Sequence, residues 1–158
     1  MGGQQPGISA LDALLETGEH DLFVVSPPAT RMRHWHESVH DWAVEHGLPV
    51  ARPDDINSDA FYRIASEFEP DIILSVFYAQ VLERRLLNLP RLGPLNVHPS
   101  LLPEYRGSGV LLWAVMDGAS EVGITIHFME ERVDAGDIVL QRAIPIGPND
   151  TGFTLYRR

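Results

Sequence analysis

Two polar side chains at the end of a short apolar segment are the first candidates for chemistry. Asn96 and His98 flank Val97 in the sequence LNVHP. If this segment is a β-strand, residues two apart project from the same face, so both side chains point to one side. An amide and an imidazole aimed together can donate hydrogen bonds to a developing oxyanion. The carboxyl end of a strand is also where open α/β sheets bind their ligands.

Asp134 is the third candidate, in the glycine-containing sequence VDAGD between two predicted strands. A carboxylate at such a turn can fix the tautomer of an imidazole or carry a proton. Each of the three residues also has an ordinary structural explanation. Asn96 can cap a turn, His98 can be a hydrogen-bonded core histidine, and Asp134 can be a turn residue. The residue types alone leave both explanations open.

A different chemistry is suggested by residues 36–40, which read HESVH and match the H-E-x-x-H pattern of zinc peptidases. On a helix, His36 and His40 would share a face, and Glu37 could act as a general base. No third ligand is evident downstream in the sequence. The same helix already has an apolar inner stripe, which puts both histidines at its edge. We therefore predict no metal site here.

The elements that must position these residues follow from hydrophobic periodicity. Helices are predicted from Ser9, over 32–43, from Ser58, over 83–88 and over 110–117. Strands are predicted at 22–25, 71–77, 95–98, 122–128 and 138–146, and residues 150–156 resemble the first turn of a helix. Their alternation over the first two thirds predicts parallel βαβ units, and the later strands predict an antiparallel pair. Residues 122–128 alternate apolar with polar types, which predicts a half-buried strand.

Composition narrows the class of protein. The chain has 158 residues, of which 44% are hydrophobic and 22% charged, as expected for one globular domain. It contains neither cysteine nor lysine, which excludes disulfides, thiolate nucleophiles and Schiff-base chemistry. The net charge of −10 argues against nucleic acid as the main partner. We expect no membrane span and a cytoplasmic location, since the longest apolar run covers only 72–82 and no signal peptide is evident.

Two longer motifs resemble signatures of the folate-dependent formyltransferases, a family that includes glycinamide ribonucleotide, methionyl-tRNA and sugar N-formyltransferases. They are NVHPSLLPEYRG at 96–107 and GITIHFMEERVDAGDIVLQ at 123–141. The similarity extends over residues 7–156. It implies an α/β, Rossmann-like formyltransferase fold with a mixed, mostly parallel sheet flanked by helices. The family's first strand and last helix have no match here, so we expect one catalytic domain over 1–158 that is truncated at both ends.

The resemblance also implies a reaction and a catalytic trio. A primary amine attacks the formyl carbon of the donor 10-formyltetrahydrofolate, and Asn96 and a protonated His98 stabilise the tetrahedral oxygen. Asp134 helps to protonate His98 and to move a proton from the amine to the folate nitrogen through water. No metal is implied, and nothing covalent forms on the enzyme. His127, on the same face of its strand as Thr125, is interpreted as structural.

The resemblance further implies which segments meet the two substrates. Backbone groups of two segments would contact the folate, at Tyr78, Ala79, Gln80, Val81, Leu82, Met129, Glu130, Glu131, Arg132 and Val133. The rim facing the amine would comprise Ser100, Arg106, Gly107 and Ser108. Leu102–Pro103 is the position at which the family's loop suggests a cis peptide bond.

The acceptor is the least defined part of this hypothesis. Trp113 resembles a residue of the sugar-nucleotide members, which favours an amino sugar or another small amine. The alternatives are a fragment of a methionyl-tRNA formyltransferase and a non-catalytic, folate-binding remnant of the family. A hydrolase that releases formate without any amine would use a similar trio. The sequence leaves self-association into a homo-oligomer open.

Overall fold

The computed structural model describes residues 1–2, 4–18, 20–29 and 37–158. The chain divides into two compact units, Met1–Pro94 and Leu95–Arg158, here called the first and second units. Much of the helix predicted over 32–43 lies outside the described residues, as does His36 of the zinc pattern.

The first unit alternates helices with short strands, as the sequence predicted. Strands β1 and β2 pair in parallel, with Val24 opposite Val50. The elements are α1 (Gln4–Thr17), β1 (Val24–Val25), α2 (Val39–Glu45), β2 (Val50–Ala51), α3 (Asp59–Glu67), β3 (Ile73–Val76) and α4 (Arg84–Leu87). The strand β2 was not predicted, because Val50–Ala51 lies between Pro49 and Arg52 and lacks the four-residue apolar run that marks β1.

The helix starts test the capping predictions. The Ser58 hydroxyl accepts a hydrogen bond from the Phe61 N–H at 3.3 Å and so caps α3, as predicted. The helix α1, in contrast, begins at Gln4 rather than at Ser9. Pro6 lies in its first turn, where backbone N–H groups have no partner within the helix and a missing one costs little. The end of α1 at Gly18, with φ of 67°, is confirmed.

Met1 and Gly2 pair with the backbone of two strands of the first unit. The Val76 N–H donates to the Met1 carbonyl at 2.9 Å, and the Gly2 N–H donates to the Val25 carbonyl at 3.0 Å. Gly2 also forms a parallel bridge with Val76. These two residues therefore satisfy ladder groups of both β1 and β3 at the place where the sequence offered no first strand.

The second unit contains an antiparallel sheet, as predicted for the later strands. The strand β5 lies between β4 and β6 and is antiparallel to both, with Asn96 opposite His127 and His98 opposite Thr125. Its elements are β4 (Pro94–His98), α5 (Val110–Met116), β5 (Glu121–Phe128), β6 (Ile138–Pro145) and α6 (Gly152–Tyr156). In the described ranges, no helix combines the length and hydrophobicity needed to cross a membrane.

The strand β5 is half buried, but polar residues occupy its most buried positions. Thr125 and His127 have relative exposures of 0% and 1%, whereas Ile124 and Phe128 are 42% and 41% exposed. A bulge at Ile126 and His127 interrupts the pairing with β6. Burying polar groups is costly unless they are hydrogen-bonded, so this face requires partners for each of them.

Candidate active site

The structure brings Asn96, His98 and Asp134 together in the second unit. Asn96 and His98 come from β4, and Asp134 comes from the turn between β5 and β6. The Asn96 Nδ2–H donates to Asp134 Oδ1 at 3.3 Å, and His98 Nδ1 lies 3.5 Å from Asp134 Oδ2. The His98 and Asp134 side chains are only 5% and 8% exposed. The expectation that two residues two apart on a strand face one side is met.

One hydrogen bond fixes the tautomer of His98. Its Nε2 lies 2.8 Å from the carbonyl oxygen of Tyr105, which can only accept, so Nε2 carries a hydrogen. The other ring nitrogen, Nδ1, faces the Asp134 carboxylate. A proton taken up by His98 therefore goes to Nδ1, beside a negative charge.

His127 joins this cluster, which the sequence analysis did not foresee. Its Nδ1–H donates to the Phe128 carbonyl at 2.8 Å, so in the neutral ring Nε2 accepts from the Asn96 Nδ2–H at 3.2 Å. The same Nε2 lies 3.5 Å from Asp134 Oδ1. The signal that could have revealed it is the antiparallel register, which places His127 opposite Asn96.

The cluster shifts the pKa values of two of its members in opposite directions. Burial opposes charge on His127, but its hydrogen bonds to Asp134 and the Phe128 carbonyl, with the charge of Asp134, raise its pKa above the ordinary value. Burial likewise opposes charge on Asp134. Hydrogen bonds from His127 and the Gly107 N–H, together with the two imidazoles, outweigh it and lower the pKa of that carboxyl group. The site therefore favours a negative Asp134 beside an imidazole that is easily protonated.

Backbone geometry holds Asp134 in place. Its φ of 51° lies in the left-handed region, which aspartate adopts more readily than most residues. The Gly107 N–H donates to its Oδ2 at 2.9 Å. Two residues later, a Cβ at Gly136 would collide with the carbonyl group of Phe128, so only glycine allows this close approach.

The loop after β4 is tied to β5 by buried hydrogen bonds. The Thr125 hydroxyl donates to the Ser100 carbonyl at 2.6 Å and accepts from the Leu102 N–H at 3.1 Å. The Ser100 hydroxyl donates to the Glu104 carbonyl at 2.7 Å. The peptide bond between Leu102 and Pro103 is cis, as predicted.

These bonds correct one expectation about the substrate rim. Ser100 is completely buried, and its hydroxyl is engaged within the loop, so it does not lie on a surface that a substrate could reach. Arg106, Gly107 and Ser108 are exposed. Trp113, which the sequence left open as either an acceptor-side or a core residue, is also exposed.

The two segments expected to contact folate lie in different units and are each partly accessible. In the first unit, Val81 is exposed, whereas the Leu82 side chain is buried. In the second unit, Met129 is half buried, and Glu130, Glu131, Arg132 and Val133 are exposed. Neither segment belongs to a helix or strand, so their backbone groups are not committed to regular secondary structure.

Only part of the zinc pattern lies in the described residues. His40 Nδ1 is 2.9 Å from Asp41 Oδ1, an exposed contact between chain neighbours. Within the described ranges, no group of three or more histidine, aspartate or glutamate side chains has the arrangement of a metal site.

Comparison with known proteins shows the family. The formyl transferase family model matches residues 13–158. The chain is 35% identical over its whole length to the methionyl-tRNA formyltransferase of Pelobacter propionicus and covers 51% of that protein. The chain therefore belongs to the folate-dependent formyltransferase family, and it spans about half the length of the curated relatives it matches.

Solved structures of formyltransferases share the fold of this chain. The phosphoribosylglycinamide formyltransferase of Anaplasma phagocytophilum superimposes with a TM-score of 0.82 at 25% identity, covering all of this chain and 76% of that one. The sugar 3N-formyltransferase WlaRD, solved with dTDP and 5-N-formyl-THF, gives a TM-score of 0.76 at 20% identity. That comparison covers 99% of this chain and 54% of the other. The mixed α/β, Rossmann-like formyltransferase fold predicted from the sequence is confirmed.

Proposed function

We propose that residues 1–158 act as one catalytic domain that transfers a formyl group from 10-formyltetrahydrofolate to the amino group of methionyl-tRNA. The observation that carries the proposal is the buried cluster of Asn96, His98 and Asp134 in a member of this family. The tRNA acceptor replaces the amino sugar favoured by the sequence, and it is proposed despite the net charge of −10, because relatives aligned over the whole chain include methionyl-tRNA formyltransferases. The proposed location is the cytoplasm.

The proposed donor sites are the segments Tyr78–Leu82 and Met129–Val133, each acting through backbone groups. WlaRD was solved with 5-N-formyl-THF, which supports a folate donor for this fold. The edge of a pterin ring offers hydrogen-bond donors and acceptors that backbone N–H and C=O groups can pair. Side chains of mixed type in both segments are compatible with such recognition.

The geometry suggests how the formyl oxygen would be stabilised. When the amine attacks the formyl carbon, negative charge develops on the oxygen, and nearby N–H donors lower the barrier. The Asn96 Nδ2 bonds to His127 and Asp134, at 3.2 and 3.3 Å, are long for hydrogen bonds. One of them can be exchanged for a shorter bond to the oxyanion. A protonated His98 has its Nδ1–H as the second donor, since its Nε2–H is committed to Tyr105 and Nδ1 lies 3.5 Å from Asp134 Oδ2, too far for a good hydrogen bond.

Asp134 is the residue proposed to assist proton transfer. The attacking amine must lose a proton, and the folate nitrogen must gain one when its bond to the formyl carbon breaks. The low pKa of Asp134 keeps it negative, so it stabilises a protonated His98 and can pass protons through water. The proposed acceptor side consists of the exposed residues Arg106, Gly107 and Ser108. The Gly107 N–H donates a hydrogen bond to Asp134.

The test is an acceptor comparison with the purified chain. The chain is incubated with 10-formyltetrahydrofolate and either methionyl-tRNA or a nucleotide-linked amino sugar, and the formylated product is quantified. We expect formylation of methionyl-tRNA only, and its loss in Asp134→Asn. Preferential formylation of the sugar would contradict the proposed acceptor.

Two control reactions separate the remaining alternatives. Release of formate in the absence of any amine would identify a hydrolase. Binding of 5-formyltetrahydrofolate without turnover of either acceptor would identify a non-catalytic folate-binding protein. Either result would overturn the proposed transferase function.

A further inference from the structure

The Tyr78–Glu83 segment is held by side chains rather than by secondary structure. Residues 77–83 form neither helix nor strand, so no regular ladder fixes their backbone. The Asn57 Nδ2–H donates to the Val81 carbonyl at 2.9 Å, and the Glu83 N–H donates to Asn57 Oδ1, also at 2.9 Å. One carboxamide therefore binds two backbone groups that lie two residues apart.

The carboxamide of Gln80, which lies in the Tyr78–Glu83 segment, binds back to the backbone of Ile56. The Ile56 N–H donates to Gln80 Oε1 at 3.0 Å, and the Gln80 Nε2–H donates to the Tyr78 hydroxyl at 3.3 Å. Asn57 and Gln80 thus form reciprocal links between residues 56–57 and the Tyr78–Glu83 segment. We call these links the carboxamide clamp.

The clamp is anchored in the core at both sides. Ile56 is completely buried, and the buried side chain of Leu82 fixes the other segment. The Asn57 N–H donates to Asp55 Oδ1 at 2.9 Å, and its carbonyl accepts from the Arg85 guanidinium. Asn57 is therefore held on its backbone and side chain, which makes it a rigid support for the segment.

From these contacts we infer that Asn57 and Gln80 are positioning residues for the formyl donor, with Asn57 as the principal support. The inference rests on the proposed function, in which backbone groups of Tyr78–Leu82 contact the folate. The clamp commits the Val81 carbonyl and the Gln80 carboxamide to internal bonds, so Gln80 acts through the backbone that it holds. A prepositioned backbone loses less conformational freedom when ligand binds, so the clamp increases donor affinity.

The test compares Asn57→Ala and Asn57→Asp with the matched control Asn88→Ala. Asn88 is exposed at the end of α4 in the same unit, and its side chain makes no hydrogen bond to another described residue. The alanine variant loses both bonds of Asn57. The aspartate variant keeps the acceptor for the Glu83 N–H but loses the donor to the Val81 carbonyl, and it remains informative if the alanine variant does not fold.

Three readouts distinguish positioning from a general effect on stability. They are the Kd for 5-formyltetrahydrofolate by calorimetry, the KM and kcat for formyl transfer, and amide hydrogen exchange of residues 78–83. We expect Asn57→Ala to raise the Kd and the donor KM about tenfold. This corresponds to the net contribution of about one ordinary hydrogen bond, because only part of the energy of the two lost bonds affects donor binding. In Asn57→Ala, the kcat should change little and amide exchange at Glu83 should accelerate. The Kd and donor KM of Asn57→Asp should lie between those of the wild type and Asn57→Ala. All three readouts of Asn88→Ala should match the wild type.

Two results would overturn the inference while leaving the proposed function intact. They are an unchanged Kd in a folded Asn57→Ala variant and unchanged exchange at Glu83. A wild-type chain that binds no 5-formyltetrahydrofolate would instead overturn the proposed function. Hydrogen exchange would then still decide whether Asn57 holds the segment.

Discussion

Two buried clusters, one in each unit, are built from different kinds of side chains. In the first unit, the cluster around α2 is apolar and consists of Ile8, Val24, Val39, Trp42 and Ala43. In the second unit, the buried residues around β4 and β5 include the polar residues His98, Ser100, Thr125 and His127. Removal of apolar surface from water stabilises the apolar cluster. Burial of the polar cluster is tolerated because its polar groups have hydrogen-bond partners.

The difference separates residues that hold the fold from residues arranged for chemistry. Polar groups contribute less net stability than apolar groups of similar size, since each exchanges a bond to water for a bond to protein. A buried polar cluster whose Asp134 accepts a hydrogen bond from the exposed Gly107 is therefore better explained by function than by stability. Substitutions in the first cluster should mainly reduce stability, whereas those in the second should mainly reduce activity.

The largest effect on stability is expected from Trp42→Ala in the apolar cluster. Trp42 is 5% exposed, whereas Val44, on the same helix, is 56% exposed. Truncation of the buried indole should lower the free energy of unfolding by about 3–5 kcal/mol through lost burial and a cavity. Val44→Ala should change it by less than about 0.5 kcal/mol. Denaturant titration measures both, and equal losses would show that the cluster is not a core.

A smaller effect on stability is expected from a change in pH, and it should arise from the polar cluster. The lowered pKa of Asp134 contributes stability above the unfolded pKa, and this contribution is lost as pH falls through the folded value. The raised pKa of His127 contributes stability below its unfolded pKa, and this is lost as pH rises through the folded value. Both contributions are complete between about pH 4 and pH 6.5.

Melting curves of the wild type and Asp134→Asn across pH measure this window. The difference in Tm between them should be largest at about pH 5–6 and should shrink toward alkaline pH, because His127 then loses its charge. Val39→Ala, in the apolar cluster, should give an offset that varies little with pH. A constant difference for Asp134→Asn would mean that His127 and Asp134 do not form a charge pair.

Periodicity and capping residues were sufficient to predict most of the first unit. The prediction of Ser58 as a helix cap and Gly18 as a helix end succeeded because these signals are local in sequence. The start of α1 was misplaced because Ser9 resembles a cap, although the helix continues through it. The pairing of Met1 and Gly2 could not be foreseen, since it depends on Val25 and on residues of β3 more than 70 positions away.

The proximity of the candidate site residues was predictable from the sequence, but their individual contacts were not. Asn96, His98 and Asp134 were identified from residue type and family motif, and the structure places them together. The part played by His127 was missed because it depends on the register between β4 and β5, which no local pattern encodes. Ser100 was placed on the rim because its burial follows from tertiary packing, which includes a bond from the Thr125 hydroxyl to its carbonyl, 25 positions away.

The central claim is that His98 and Asp134 work as one catalytic unit, and a double-mutant cycle on formyl transfer tests it most directly. The kcat/KM with methionyl-tRNA is measured for wild type, His98→Asn, Asp134→Asn and the double variant, with folding checked by circular dichroism. Each single substitution should reduce kcat/KM by about 10³-fold, and the double variant should lose little more, since the residues depend on each other. Losses that multiply, or a folded single variant with kcat/KM near that of the wild type, would contradict the account.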